Sequence, residues 1–238
     1  MHETPRIALV SGASRGIGFE IVKQLAAQGI TVILTARKRQ QAMEAVQELG
    51  VVGQSVVAQQ LDVTNDASVA KLAQVVENEF GRLDILVNNA DILIDRDQYP
   101  STMNIALAKE TLETNLFGAW RLCEAFIPLM KRNDYGRIVN ISASLGAFAE
   151  LGAREGTWPA YCLSKTSLNA LTVLLASELQ ETNILVNAAC PGWVQTSMGG
   201  SYAPTTAQDG ADTPVLLATL PDDGPTGNFF QRRTSIPW

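Results

Sequence analysis

Tyr161 and Lys165, four apart in "YCLSK", form the pair in this sequence best suited to moving a proton. Their spacing puts them on one face of a helix. A free phenol ionises near pH 10 and is a poor acid–base group at neutral pH, but a nearby ammonium favours the phenolate. A phenol tuned in this way can protonate a carbonyl oxygen. Helices also carry Tyr and Lys at this spacing with no such role, so the pair needs a setting. The sole histidine is His2, which excludes a histidine-based triad and a His-ligated metal site; no metal is expected.

The setting starts at the other end of the chain. The apolar run "RIALVSG" leads into "SGASRGIG", where Gly12, Gly16 and Gly18 mark a strand-to-helix turn that also contains Ser14, Arg15 and Ile17. Glycines allow a tight turn, and the helix N-terminus offers free N–H groups to a pyrophosphate. By itself a Gly-rich turn is weak evidence of a ligand; at the head of a repeating strand–helix chain it is much stronger. An NAD site usually places an acid about 20 residues further on, against the ribose 2′-OH. Here "TARKRQ" has Arg37 at that place and no acid nearby. With Arg15 as a second cation, Arg37 suits a 2′-phosphate, so NADP(H) is the expected cofactor. The alternative is that Arg37, Lys38 and Arg39 only open a solvated helix. Asp62, next to Val63 in "QQLDV", is placed to accept from an adenine amino group or to cap the following helix.

Elements that would position these groups follow from the pattern. Short, mostly continuous apolar runs at 6–12, 31–37, 55–63, 83–90, 136–142 and 184–192 read as strands covered on both faces. Helical patterns lie between them at 17–28, 39–49, 66–80, 102–131 (with a possible break) and 160–181. The alternation predicts an α/β fold, a single Rossmann-like doubly wound parallel sheet flanked by helices on both faces, spanning 1–238 as one domain. The Gly-, Ser-, Thr- and Pro-rich stretch around 193–213 reads as a mobile substrate loop.

The 238 residues are 46% hydrophobic and 18% charged, with net charge −6, which makes a nucleic-acid backbone an unsuitable partner. No apolar run is long enough for a membrane span and no signal-peptide core precedes the first strand, so a cytoplasmic location is expected. Cys123, Cys162 and Cys190 are odd in number and scattered, which argues against a disulfide framework.

In order along the chain, "SGASRGIG", "LVNNA", "ETNLFG", "YCLSK" and "CPGWVQT" resemble the short-chain dehydrogenase/reductase family over essentially the whole length. "TAR", "PGWV" and "GPTGNFF…PW" look like its NADPH-dependent carbonyl reductase branch. The resemblance implies reduction of a ketone or aldehyde to an alcohol. It assigns Tyr161 as the acid–base, Lys165 to the nicotinamide ribose and the tuning of Tyr161, and Asn115 to a helix held open around a water. It places Asn88, Asn89 and Ala90 beside the cofactor, and Pro191, Gly192, Val194 and Thr196 over the nicotinamide. Asn88 and Asn115 have a second reading as strand-end and helix hydrogen-bonders. Trp158, Trp193, Met198 and Tyr202 fall where the resemblance puts the pocket, implying a bulky, apolar small-molecule carbonyl substrate; the alternative for Trp158 is packing against the catalytic helix. Both monomers and homo-oligomers fit the branch.

Two positions depart from the family pattern. Its substrate-polarising serine sits six residues after the Arg that opens the fifth strand; counting from Arg137 gives Ala143. Ser142 and Ser144 flank it, and Ser144 could swing into the site if the loop bends. Asp91 stands where the family has glycine, and is expected to add bulk and charge near the adenosine ribose. The departures leave two readings: an NADPH-dependent reductase, weakened by the missing hydroxyl, and a non-catalytic NADPH-binding regulator. Retention of both Tyr161 and Lys165 favours the enzyme.

Overall fold

A computed structural model describes residues 5–151 and 158–238, so His2 lies outside the described residues. Eight strands form one sheet in the order β3-β2-β1-β4-β5-β6-β7-β8. They are β1 (Ile7–Val10), β2 (Thr31–Ala36), β3 (Val56–Gln60), β4 (Ile85–Asn88), β5 (Gly136–Ile141), β6 (Ile184–Cys190), β7 (Phe229–Gln231) and β8 (Thr234–Ile236). The first seven pair in parallel; β8 turns back antiparallel on β7.

The continuous apolar character of the strands reflects burial on both faces. Ala8 and Val10 of β1 join a core with Ile21 and Val22 of α1 (Gly16–Ala27), Ala42 of α2 (Arg39–Glu48) and Val215 of α7 (Ala207–Ala218). The intervening Ile7 and Leu9 join Leu72 of α3 (Asp66–Phe80), Phe126 of α5 (Gly118–Arg132) and Leu168 of α6 (Pro159–Glu178) on the other face. Strand order reverses between β1 and β4, and a sheet of this kind opens a crevice at the C-terminal strand ends beside such a reversal. Both predicted halves of the site come from those ends.

The structure corrects several expected bounds. The 102–131 pattern divides into α4 (Ile105–Leu112), a π-helical turn (Glu113–Phe117) and α5. Residues 207–213 of the presumed loop are the first two turns of α7, capped by Thr206, whose hydroxyl accepts from Asp209 N at 3.1 Å. Upstream, Gln195 N donates to Thr205 O at 2.8 Å, pinning 193–206 into a closed loop. Strands β7 and β8 were not expected. Among the described residues no helix is long and apolar enough to cross a membrane.

Candidate active site

The glycine turn is packed from the side. A Cβ on Gly12, whose φ is +62°, would lie 2.9 Å from Ala90 Cα, and one on Gly18 would strike the Asn89 amide. Asn89 Nδ2 donates to Ser11 O at 2.9 Å and to Gly12 O at 3.1 Å, so its side chain braces the turn. The neighbouring Asn88 is different. Buried between strands, it donates to Asn140 Oδ1 at 2.8 Å, which corrects its placement beside the cofactor in favour of the strand-end reading.

A cleft of about 990 Å³ runs along these strand ends. Its walls include Gly12, Ser14, Arg15, Gly16, Ile17, Gly18, Arg37, Asp62, Val63, Asn89, Ala90, Pro191, Gly192, Val194 and Thr196. Arg15 and Arg37 are exposed, and neither meets a carboxylate among the described residues. Asp62 accepts from Thr64 N at 3.0 Å and Thr64 Oγ1 at 2.7 Å through Oδ1, while Asn65 caps α3. Asp62 thus shapes the turn before α3 and still borders the cleft.

At the other end of the cleft stands α6. Pro159 opens it, and its free N–H groups at Ala160 and Tyr161 donate to Asp95 Oδ2 at 2.7 and 3.2 Å. Asn115, in the π-helical turn, accepts from Ile92 N at 2.9 Å and donates to Ile92 O at 2.9 Å and Ser164 Oγ at 3.0 Å. The loop after β4 is therefore clasped to α6 at Ile92 and at Asp95.

That loop carries Asp91 into the centre of the site, not to the adenosine end. Asp91 Oδ2 lies 3.0 Å from Lys165 Nζ and accepts from the Tyr161 hydroxyl at 3.2 Å. Lys165 Nζ also donates to Ile141 O at 2.9 Å. Asp91 and Tyr161 line the cleft; Lys165, 1% exposed, sits behind them. Burial, opposed by the Lys165 ammonium, raises the Asp91 carboxyl above its ordinary range. Burial first, and Asp91's charge and hydrogen bond second, hold the Tyr161 phenol well above its usual range.

Ala143 lines the cleft and supplies no side-chain donor. Ser142 does not replace it, because its hydroxyl is buried and donates to Asn169 Oδ1 at 2.6 Å. Ser144 is on the cleft wall, with its backbone N–H on Cys190 Sγ at 3.2 Å. Trp158, Trp193 and Met198 line the opening, whereas Tyr202 is 92% exposed and does not. Arg96 spans the mouth, donating to Met198 O at 2.6 Å with its guanidinium 5.8 Å from the Trp158 ring.

The family profile described as short chain dehydrogenase matches residues 6–207. The chain belongs to the short-chain dehydrogenase family. It is 38% identical to (+)-neomenthol dehydrogenase of Arabidopsis thaliana and 36% identical to NADPH carbonyl reductase 1 of Rattus norvegicus, each over 98% of this chain and 98% of the relative. The solved NADPH-bound carbonyl reductase from chicken fatty liver superposes with a TM-score of 0.88 at 28% identity, over 99% of this chain and 100% of that one. Both the family and the likeness to its carbonyl reductase branch agree with the sequence motifs. Free cations at Arg15 and Arg37 and an open glycine turn fit an NADP(H) molecule in this short-chain dehydrogenase. Asp95, which sequence reasoning missed, has no local motif: it lies far from α6 along the chain and reaches it only through the fold.

Proposed function

We propose that this short-chain dehydrogenase reduces a ketone or aldehyde with NADPH, Tyr161 giving its proton to the substrate oxygen. The observation that carries this reading is the position of Tyr161 on the wall of the same cleft that holds the glycine turn. When bound, NADPH supplies the hydride. The backbone from Gly12 to Gly18, with Ser14, Arg15 and Ile17, suits its pyrophosphate, and Arg37 its 2′-phosphate. Asp62 and Val63 would border the adenine, Asn89 and Ala90 the middle of the cofactor, and Pro191, Gly192, Val194 and Thr196 its nicotinamide. Lys165 serves the ribose and Tyr161 only in competition with Asp91, whose carboxylate lies 3.0 Å from its ammonium. Asn115 and Asp95 fix the angle of α6.

The Ala143 methyl leaves the substrate oxygen with Tyr161 as its principal donor, and Ser144 as a nearby second hydroxyl, so turnover is slower than the family pattern allows. The apolar rings of Trp158 and Trp193 beside Met198 favour a bulky, apolar carbonyl compound. A second reading, a non-catalytic NADPH-binding regulator, is favoured by the pairing of Lys165 with Asp91 and by Ala143. NADPH oxidation with a panel of aryl ketones separates the two. The reductase consumes NADPH with at least one of them; tight NADPH binding without consumption would establish the regulator.

A further inference from the structure

Asp91 is the one carboxylate that touches both members of the Tyr161–Lys165 pair among the described residues. Its backbone neighbour Ile92 is held through both its N–H and its C=O by Asn115, so the carboxylate is delivered by a fixed loop. Lys165, nearly inaccessible, has Asp91 and the Ile141 carbonyl as its partners. The ammonium that would favour a phenolate is thus already engaged by a carboxylate. The same carboxylate oxygen accepts the Tyr161 proton's hydrogen bond, which requires Tyr161 to be the neutral O–H form. A phenolate there would put a second anionic oxygen 3.2 Å from Asp91 Oδ2.

We propose that Asp91 is a positioning residue that holds Tyr161 as a neutral proton donor, setting the site for carbonyl reduction and making it slow to take a proton from an alcohol. The inference rests on the reductase reading above. In reduction the phenol O–H breaks and its proton goes to the carbonyl oxygen as hydride from NADPH reaches the carbon. In the reverse direction hydride passes from the alcohol carbon to NADP⁺, and the alcohol proton must go to a phenolate. Asp91 disfavours that phenolate.

The groups facing Tyr161 come from three elements: Asp91 from the loop after β4, Lys165 and Cys162 from α6, and Cys190 from the end of β6. Burial pushes both thiols above their ordinary range, so they are neutral at neutral pH. Beside burial, Asp91 therefore keeps the phenol protonated through its charge and its hydrogen bond, while the Lys165 ammonium that would favour the phenolate is paired with Asp91. Asp91 Oδ1 is buried without a hydrogen-bond partner, an arrangement that costs stability and that packing alone does not call for.

The test uses the cofactor-free protein and reads tyrosinate absorbance against pH, with the Tyr161→Phe curve subtracted and folding followed by circular dichroism. In the unsubstituted protein the Tyr161 signal should rise only above the ordinary phenol range near pH 10. In Asp91→Asn it should move to lower pH, giving about tenfold or more phenolate at a fixed alkaline pH. With NADP⁺ and an alcohol, the rise of the oxidation rate with pH should move to lower pH together with the absorbance curve, and Asp91→Glu should restore part of the original profile. Coincident curves for Asp91→Asn and the parent overturn the proposal. So does a Tyr161 signal at or below pH 10 in the parent, a result that stands even if the variants do not fold. A shifted absorbance curve without turnover in any variant supports Asp91's hold on Tyr161 and counts against the reductase reading instead.

Discussion

The two ends of the cleft rise from neighbouring strand tips, yet they treat charge in opposite ways. At the nucleotide end Arg15 and Arg37 stand exposed without carboxylate partners among the described residues, and the glycine turn borders the cleft. At the chemical end Lys165 is buried, 3.0 Å from Asp91 and 2.9 Å from the Ile141 carbonyl. A cation left free is available to an incoming phosphate; a cation already paired has its field largely cancelled at the next group along. The nucleotide end accordingly keeps its cations free, whereas the cation beside Tyr161 is already paired.

The comparison predicts that substitutions at the two ends separate cleanly. Tyr161→Phe removes the proton donor and should lower carbonyl reduction by roughly a hundred- to ten-thousandfold, with NADPH affinity by fluorescence titration within a few-fold. Ala143→Ser should raise the chemical step by about a hundredfold, at the low end for an oxyanion donor because Tyr161 already donates to that oxygen. Its control is Ser144→Ala: if that change silences the protein and Ala143→Ser adds nothing, Ser144 is the working hydroxyl. At the other end, Arg37→Asp should weaken NADPH binding about ten- to a hundredfold and leave NADH binding far less affected. Equal affinity of the parent for NADH and NADPH would remove the role of Arg37.

A smaller effect probes the scaffold shared by both ends. A Cβ on Gly146 would lie 2.6 Å from the Lys165 backbone carbon and from Lys165 Cβ, so Gly146→Ala must push α6 away from the loop after β5. Urea unfolding should show a loss of about 1–3 kcal/mol, the range for overpacking a tight contact. Unchanged stability would mean that α6 is less firmly seated than its contacts imply.

The sequence disclosed the sheet wherever a strand is buried on both faces, because β1, β4, β5 and β6 are then mostly apolar. It hid β7 and β8, which are three residues each, and α7, which contains Gly210 and Pro214. Gly210 is required there, since a Cβ would lie 2.9 Å from Val194 Cγ2; the capping pattern Thr206-x-x-Asp209 was the available signal. Within the site, Tyr161 and Lys165 were legible from helical spacing and the glycine turn from its place after β1. The location of Asp91 was not. The expected position near the adenosine ribose assumes that the chain leaves β4 along the cofactor, but Asn115 draws Ile92 towards α6 and turns the Asp91 carboxylate to Lys165. That clasp joins residues 23 apart in sequence and leaves no local pattern.

The account stands most directly on the transfer itself. Incubation with an aryl ketone and NADPH deuterated at the transferring carbon, followed by mass spectrometry of the alcohol, reads it in one step. The account predicts an alcohol carrying one deuterium on its carbinol carbon, formed by the parent protein and lost in Tyr161→Phe. Bound NADPH with no labelled alcohol across the ketone panel would contradict it.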